Sequence, residues 1–205
     1  MFTGIIQDTG KIISISKEGD SKVFVLKSEN KDFSSSLKNG DSIAVNGVCL
    51  TVTGIKDNSL SFTAVKETLS KTNLGDLIPE EFVNLEQAMS VNSKLDGHMV
   101  QGHVDTTGIM EDIRENMDSH EFFISFEDEF RDFIIKIGSI SINGVSLTIA
   151  DITDESKGRI TIKTAIIPYT YQMTNFKYLK KGDRVNIEFD MMGKYIKRIF
   201  ENSIK

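Results

Sequence analysis

The sequence predicts an all-β protein in which two similar antiparallel domains follow one another and a helix ends the chain. Three observations predict this arrangement: an internal duplication, short β-rich runs bounded by turn residues, and an amphipathic helical pattern after the second copy. The 205 residues, of which 39% are hydrophobic and 26% charged, have room for one large domain or two small ones. The duplication favours two.

The duplication is clearest in one segment of eleven residues. Ser42–Val52 recurs as Ser139–Ile149, with seven of the eleven positions identical at an offset of 97. Further matches pair Phe2–Gly10 with Val100–Gly108 at an offset of 98, and Val83–Glu86 with Val185–Glu188 at an offset of 102. The offset grows because the second copy has about five additional residues after Ile149, which we predict to form a longer hairpin loop over 154–158.

The two copies define the domain organisation. Each is roughly 90 residues long and has its motifs in the same order, so we expect two domains related by pseudo-symmetry. We place the first domain at residues 1–96 and the second at 97–189. Residues 190–205 have no counterpart in the first copy and form a C-terminal addition.

Within each copy the local pattern indicates strands. Val, Ile, Phe and Thr are concentrated in short runs with turn residues at both ends, which is typical of antiparallel barrels and sandwiches. The clearest runs are Val23–Leu26, Ser59–Thr63, Glu121–Ser125 and Arg159–Lys163.

Each copy also contains a hairpin whose turn is set by an Asn-Gly pair. Asn46-Gly47 and Asn143-Gly144 are typical of a type I′ turn, which fixes the register of the flanking strands. Because side chains alternate along a strand, one face of the first hairpin is apolar and is expected to line the core. That face carries Ile43, Val45, Val48, Leu50 and Val52. The opposite face carries only small side chains, namely Ser42, Ala44, Cys49 and Thr51 in the first copy and Ser139, Ser141, Ser146 and Thr148 in the second.

Two interpretations of this small-residue face are left open by the pattern. A solvated hairpin surface is the ordinary outcome for half-exposed antiparallel strands. However, both copies lack the long charged side chains that such surfaces usually carry, and small residues leave space for a flat ligand with hydroxyl groups at its edge.

Helices are predicted in two places. Ser125 followed by apolar residues at helical spacing up to Ile137, with Gly138 beyond, predicts a capped amphipathic helix over 126–137. The tail has a second apolar stripe, which consists of Met192, Tyr195, Ile196, Ile199 and Phe200. Such a helix either docks on its own domain or makes an oligomer contact, and the pattern alone favours docking.

Charge and composition exclude several functions. The formal net charge of −6 is divided equally between residues 1–97 and 98–205, so neither half has the basic surface that nucleic acid requires. One cysteine, Cys49, and three histidines leave little material for a metal site, and the spacing of His98 and His103 is not that of a zinc pair. A single cysteine fits a reducing cytoplasm. We expect neither an export signal nor a membrane span, and the sequence has no phosphate loop or serine nucleophile elbow.

Several motifs together resemble the alpha-chain type of riboflavin synthase. They are Met1–Ile6, Asn46–Val52, Lys66–Thr68 followed by Thr72–Gly75, Gly97–Asp105 and Asn143–Thr148. The resemblance covers essentially the whole chain, in order and at matching spacing. It implies two similar six-stranded antiparallel Greek-key β-barrels in tandem plus a C-terminal α-helix, residues 190–205, through which three copies form a homotrimer. That implication replaces the docking preference for the tail.

The resemblance also implies a reaction and its partners. One 6,7-dimethyl-8-ribityllumazine donates a four-carbon unit to another, which gives riboflavin and 5-amino-6-(ribitylamino)uracil. The family needs no metal or organic cofactor, and the reacting pair lies between the N-terminal barrel of one subunit and the C-terminal barrel of a neighbour. Association with lumazine synthase is a further prediction. The alternative function is a non-catalytic lumazine or flavin carrier of the fluorescent-protein kind, and a barrel pair without a ligand is a third.

The family's site residues map onto positions of this sequence. The first pocket is expected to use Gly4, Ile5, Ile6, Cys49, Leu50, Thr51, Thr63, Ala64, Val65, Lys66, Glu67 and Thr68. The second is expected to use Gly102, His103, Val104, Ser146, Leu147, Thr148, Ala165, Ile166, Ile167, Pro168, Tyr169 and Thr170, together with Ile137. Ile137 stands where the family usually has a lysine, and Tyr169 where it usually has an acidic residue, so both contacts depart from the pattern.

Four positions correspond to residues that affect turnover in the family: Ser42, Cys49, His103 and Asp190. We hypothesise that His103 shuttles the proton lost from the C7 methyl group of one lumazine. Ser42 or Cys49 would polarise the partner or add to it, and Asp190 would orient these groups.

Overall fold

The computed structural model of the protein describes residues 1–154 and 158–203. These residues form two closed antiparallel barrels of six strands each, followed by a C-terminal helix. The fold class predicted from the sequence is therefore confirmed. The loop predicted over 154–158 falls largely on residues 155–157, which lie outside the described residues.

The first barrel is built from six strands in the order β1-β2-β5-β4-β3-β6. The strands are β1 (Asp8–Glu18), β2 (Ser21–Ser28), β3 (Ser42–Val45), β4 (Val48–Lys56), β5 (Ser59–Ala64) and β6 (Phe82–Gln87). Two short helices, α1 (Lys31–Ser35) and α2 (Lys66–Lys71), and a 3₁₀ turn at Asn73–Gly75 lie between them. Inward-facing residues such as Phe24, Leu26 and Phe62 fill the interior.

The second barrel repeats this topology in the order β10-β11-β8-β7-β12-β9. Its strands are β7 (Thr106–Glu115), β8 (His120–Glu127), β9 (Ser139–Ile142), β10 (Val145–Asp154), β11 (Arg159–Ile166) and β12 (Arg184–Phe189). Helix α3 (Pro168–Met173) and 3₁₀ turns at Asp128–Phe133 and Asn175–Tyr178 complete it. Each of the four strands predicted from β-rich runs lies inside an observed strand.

The two Asn-Gly hairpins have the predicted geometry. Both turn residues have positive φ in each copy, 47° and 76° for Asn46 and Gly47 and 47° and 81° for Asn143 and Gly144, which defines the type I′ turn. The Cα partners are Ser42 with Thr51, Ile43 with Leu50, Ala44 with Cys49 and Val45 with Val48, and the apolar face is buried in the barrel core. The register predicted from the turn is confirmed.

The helix predicted over 126–137 is wrong. Strand β8 continues through Phe126 to Glu127, and only a six-residue 3₁₀ helix follows before Ile134 returns to an extended conformation. Phe126 is completely buried in the barrel, and Phe130 and Phe133 stack against Phe189 at its end. The apolar spacing that mimicked a helix is thus produced by a strand and a turn that cover the same core.

Helix α4 (Met191–Ser203) has the predicted stripe, but the stripe is not buried on its own domain. Its five apolar side chains are 61–66% exposed. The helix is attached through ion pairs instead, with Lys194 Nζ 2.6 Å from Asp105 and Lys197 Nζ 2.8 Å from Asp132. Across the described parts of the chain, neither this helix nor any other is long and apolar enough to cross a membrane.

The two barrels are joined by a buried polar network around their pseudo-twofold axis. Asn84 donates to the Asn143 carbonyl and Asn186 to the Asn46 carbonyl, both at 2.9 Å, so corresponding residues make reciprocal contacts. Gly47 and Gly144 face each other so closely that a Cβ on Gly47 would lie 2.7 Å from the Gly144 nitrogen. This packing fixes the orientation of the two hairpins that carry the candidate sites.

Candidate functional site

Two short segments cross from one barrel to the other and cover the small-residue faces of the hairpins. We call Thr3–Ile6 and Gln101–Val104 the crossing segments. The Cys49 amide donates to the Gly102 carbonyl at 2.9 Å, and the Ser146 amide donates to the Gly4 carbonyl at 2.7 Å. The first barrel is thus covered by a segment that leads into the second, and the second by a segment that leads into the first.

Small side chains are required at these crossings. A Cβ on Gly102 would lie 2.5 Å from the Cys49 Cβ, and a Cβ on Gly4 would lie 2.6 Å from the Ser146 Cβ. Ala44 is buried beneath Phe2 and packs in the same small cluster as Cys49. The face is therefore neither a fully solvated surface nor entirely free for a ligand, because part of it holds the crossing backbone.

The exchange corrects how the sequence-based site residues are grouped. Gly4, Ile5 and Ile6 were expected in the first pocket, but Gly4 lies on Ser146 and Ile6 packs against the core of the second barrel. In the same way Val104, expected in the second pocket, packs against the core of the first barrel. Sequence order alone does not reveal this, because both copies carry the same motif.

In the first barrel, the uncovered part of the face carries hydroxyl groups and a thiol. Ser42 and Thr51 are exposed, and Cys49 on the same face is half-buried. His103 is exposed and directly follows Gly102, whose carbonyl accepts the hydrogen bond from the Cys49 amide. Ser42 and Cys49 therefore share one face of the first barrel, and His103 belongs to the segment that crosses over this face.

The first barrel's rim is formed by the end of β5 and by helix α2. Thr63 and Thr68 are half-buried there, Ala64 is buried, and Val65 is exposed. Lys66 pairs with Asp20 at 3.1 Å, and the hydrogen bond from Lys71 lowers the pKa of the Glu67 carboxyl. The charged residues of the rim are therefore held by ion pairs, and its two threonines are the less exposed polar residues.

The second barrel has a histidine that the sequence reasoning did not place in a site. His98 is buried, and its Nδ1 lies 2.7 Å from the Ser146 hydroxyl. Burial lowers the pKa of His98, and the negative charge of Asp190 partly opposes that effect. At neutral pH, Ser146 is therefore bonded to an uncharged imidazole. Its position near the second hairpin follows from the pairing of residues 98–100 with the chain's start, which the sequence does not show.

The rim of the second barrel is more apolar than that of the first. Thr148, Ile167, Pro168 and Tyr169 are exposed, and Ile166 is buried. Ile137 is also exposed and adopts a φ of 67°, a left-handed conformation that a β-branched residue rarely takes. The corresponding position in the first barrel is occupied by Gly40, which has a φ of 95°.

Asp190 lies at the end of the second barrel. It follows β12 directly, and its Oδ1 accepts a hydrogen bond from the Met192 amide at 2.9 Å at the start of α4. Together with Ser139 it lines a groove of about 550 Å³ between this helix and the barrel. Within one chain, Asp190 therefore lies on a different barrel from Ser42 and Cys49.

A larger groove, of about 870 Å³, lies between the barrels and contains none of the predicted site residues. Its lining includes Asn73, Phe82, Tyr178 and Arg184. Among residues 1–154 and 158–203, no group of three or more His, Cys, Asp and Glu side chains is arranged to hold a metal ion.

Comparison with known proteins identifies the repeated unit. Residues 3–88 and 101–190 each match the model of the lumazine binding domain. The chain is 41% identical over 198 residues to the riboflavin synthase of Actinobacillus pleuropneumoniae, covering 97% of this chain and 89% of that protein. It is 38% identical to the riboflavin synthase of Bacillus subtilis, covering 99% and 91%.

The chain belongs to the riboflavin synthase family.

A solved structure has the same fold. The structure of LumP complexed with 6,7-dimethyl-8-(1'-D-ribityl) lumazine matches with a TM-score of 0.80 and 29% identity, covering 92% of this chain and 98% of that one. The identity to LumP is lower than the identity to the two synthases. The predicted family and the assignment as an enzyme of the transferase class, a riboflavin synthase, are confirmed, and a non-catalytic carrier is not favoured.

Proposed function

We propose that the enzyme catalyses the dismutation of two 6,7-dimethyl-8-ribityllumazine molecules in a site shared by two subunits of a homotrimer. One substrate binds the first barrel of one subunit and the other binds the second barrel of its neighbour. The observation that supports this is the separation of the predicted catalytic residues. Ser42 and Cys49 lie on the first barrel, beneath the segment that carries His103, whereas Asp190 lies on the second barrel.

The exposed face of α4 supports assembly into a trimer. Met192, Ile196 and Phe200 line the groove between the helix and the second barrel, and Ile135 extends the apolar surface. Apolar side chains of this size each contribute about 1.5–3 kcal/mol when they are fully removed from water. Because Asp190 and Ser139 line the same groove, a neighbour that covers the helix comes close to the second barrel's site.

The two barrels differ in ways that suit two roles. Cys49 and Ala44 of the first barrel correspond to Ser146 and Ser141 of the second. A nucleophile on the first barrel adds to C7 of one lumazine and is expelled again as the products form, while His103 transfers the proton that leaves the C7 methyl group of the other. Four carbon atoms pass between the partners, so two substrates give one riboflavin and one pyrimidine without an added oxidant.

Holding the two substrates face to face accounts for much of the rate enhancement. Converting a bimolecular encounter into a reaction between positioned partners is worth up to about 7–11 kcal/mol in favourable cases. The duplicated fold supplies one pocket for each partner.

Two further features of the proposal concern the cell. The single cysteine and the assignment to a biosynthetic family support a cytoplasmic enzyme. Association of the trimer with lumazine synthase is retained as a prediction, and co-sedimentation of the two purified proteins tests it.

One assay separates the proposed function from a carrier. The protein is incubated with 6,7-dimethyl-8-ribityllumazine while absorbance and fluorescence are followed. Growth of riboflavin absorbance is expected. Bound lumazine fluorescence without product indicates a carrier, and the absence of both indicates a structural protein.

Mixing variants tests whether the site is shared. His103→Ala and Asp190→Ala are each expected to lower turnover as homotrimers. When the two are unfolded together and refolded as mixed trimers, some sites combine an intact first barrel with an intact second barrel from a neighbour. Activity that stays at the level of the separate variants argues against a site between subunits.

A further inference from the structure

Two buried carboxylates that the proposed chemistry does not use hold the crossing segments. Glu86 on β6 is 2% exposed and Glu188 on β12 is 4% exposed. They occupy corresponding positions in the two copies, at an offset of 102. A buried carboxylate is costly unless hydrogen-bond donors surround it, so its surroundings indicate its purpose.

Glu188 is surrounded by backbone donors from one crossing segment. Its Oε1 accepts from the Gln101 amide at 2.6 Å, and its Oε2 accepts from the amides of Gly102 and His103 at 2.9 and 3.0 Å. Burial raises the pKa of this carboxyl, and the N–H donors counteract that effect. Both oxygens act as acceptors, which is the arrangement of an ionised carboxylate.

Glu86 repeats the arrangement on the other crossing segment with one difference. It accepts from the Thr3 amide at 2.6 Å, from the Thr3 hydroxyl at 2.7 Å and from the Gly4 amide at 3.0 Å. The Ile5 amide, which corresponds to that of His103, donates to the Thr3 hydroxyl at 3.1 Å instead of to the carboxylate. The two glutamates are therefore matched in chemistry but hold different segments.

Each carboxylate acts across the barrel boundary. Glu188 belongs to the second barrel, but the segment that it holds lies over Cys49 of the first, where the Gly102 carbonyl accepts from the Cys49 amide. Glu86 belongs to the first barrel, but its segment lies over Ser146 of the second. The cover of each candidate site is thus fixed by a residue of the opposite barrel.

We propose that Glu188 is a positioning residue that holds Gly102 over Cys49 and presents His103 to the first barrel's site. Glu86 is the corresponding positioning residue in the other copy, where it holds Gly4 over Ser146 and presents Ile5 to the second barrel's site. The expected effect on turnover rests on the function proposed above, whereas the expected effect on the cover of Cys49 does not. Loss of charge-assisted hydrogen bonds to one segment is expected to loosen that segment alone.

Cys49 provides a local probe because it is the only cysteine in the chain. The rate of its alkylation by iodoacetamide is measured as a function of pH, and limiting thiolate rates are compared so that a changed thiol pKa does not affect the result. Glu188→Gln replaces one acceptor oxygen with an NH₂ group that faces N–H donors. We expect its limiting rate to rise about tenfold, because a charged hydrogen bond of this kind changes a local equilibrium by at least that factor.

Glu86→Gln is the matched control. It makes the same chemical change at an equally buried carboxylate. The segment that Glu86 holds covers Ser146, whereas Cys49 stays covered by Gly102. The alkylation rate of Cys49 is therefore expected to stay within about twofold of the wild type. In the synthase assay, Glu188→Gln is expected to lower kcat and to change the pH profile of kcat, because His103 is displaced. A thermal unfolding curve accompanies each variant.

The outcomes decide the proposal. An alkylation rate that rises in Glu188→Gln and not in Glu86→Gln supports it, even if no synthase activity is ever observed. Equal rates in the two variants overturn it, whether both rise or neither does. If either Gln variant does not fold, Glu188→Asp and Glu86→Asp retain the charge on a shorter side chain and are compared by the same criterion.

Discussion

Gly102→Ala is expected to destabilise the protein more than an alanine at a glycine that has no close neighbours. Gly102 has a φ of 83°, and an alanine in this left-handed region costs about 1–2 kcal/mol. Its Cβ would also lie 2.5 Å from the Cys49 Cβ and 2.8 Å from the Cys49 nitrogen. Since a backbone atom cannot simply rotate away, the clash adds an overpacking cost of about 1–3 kcal/mol. Together these two costs destabilise the folded state by about 2–5 kcal/mol, before the effect of alanine on the unfolded chain is subtracted.

Gly19→Ala is the control that isolates the contact. Gly19 also has a positive φ, 60°, but nothing lies within 4 Å of a Cβ built on it. Only the backbone cost applies there. In both variants the smaller entropy of the unfolded chain offsets about 0.4–1 kcal/mol of the loss. Urea unfolding at one fixed subunit concentration measures both variants, and riboflavin formation is expected to fall only in Gly102→Ala. If the two variants lost equal stability, the close packing of the crossing segment on Cys49 would be refuted.

Three further predictions concern strain, assembly and pH. Ile137→Gly is expected to raise the unfolding temperature, because it releases the strain of a left-handed isoleucine whose side chain is 72% exposed. Gly40 already occupies the corresponding position of the first barrel. The gain in stability is up to about 1–2 kcal/mol, and an unchanged or lower unfolding temperature contradicts the prediction. Ile196→Glu on the apolar stripe of α4 is expected to prevent assembly of the proposed trimer, as measured by light scattering, whereas Arg198→Glu on the same helix is not. Burial lowers the pKa of His98 in the folded state, so the unfolded chain binds a proton at this residue more strongly than the folded chain does. The protein is therefore expected to lose stability as the pH falls below 6.5, the ordinary pKa of histidine, and to retain it above that pH. Urea unfolding between pH 7.5 and 5.5 should therefore show a smaller acid-side loss in His98→Gln than in the wild type; equal slopes would assign the loss to other groups.

The hairpins could be predicted because their determinants are local. An Asn-Gly pair adopts two positive φ values at low cost, and the resulting turn fixes which residues pair along the flanking strands. Ser42 and Cys49 were therefore placed on one face correctly without any tertiary information. The same local logic identified the stripe of α4, although the exposure of that stripe depends on what surrounds the helix.

The segment after β8 shows where local logic fails. Phe126, Phe130 and Phe133 recur at helical spacing, but they contact the same core from a strand and a 3₁₀ turn. A periodic pattern shows only that the apolar side chains face the same core. An α-helix satisfies this condition, and so does a strand followed by a 3₁₀ turn. The tertiary packing against Phe189 decided between them.

The sequence by itself determined the duplication, the strands and the residue types available to each site. Only the tertiary structure decided which barrel receives which crossing segment. Because the two copies carry the same motif, Gly4 and Gly102 are equally compatible with either barrel by sequence. The choice depends on the contacts of Gly102 with Cys49 and of Gly4 with Ser146, which are 53 and 142 positions apart. Glu188, reached through an 85-residue separation from His103, is the plainest case. The physical reason is that a buried carboxylate can accept hydrogen bonds from any backbone amide that the fold places beside it. Sequence spacing therefore does not show which amides these are.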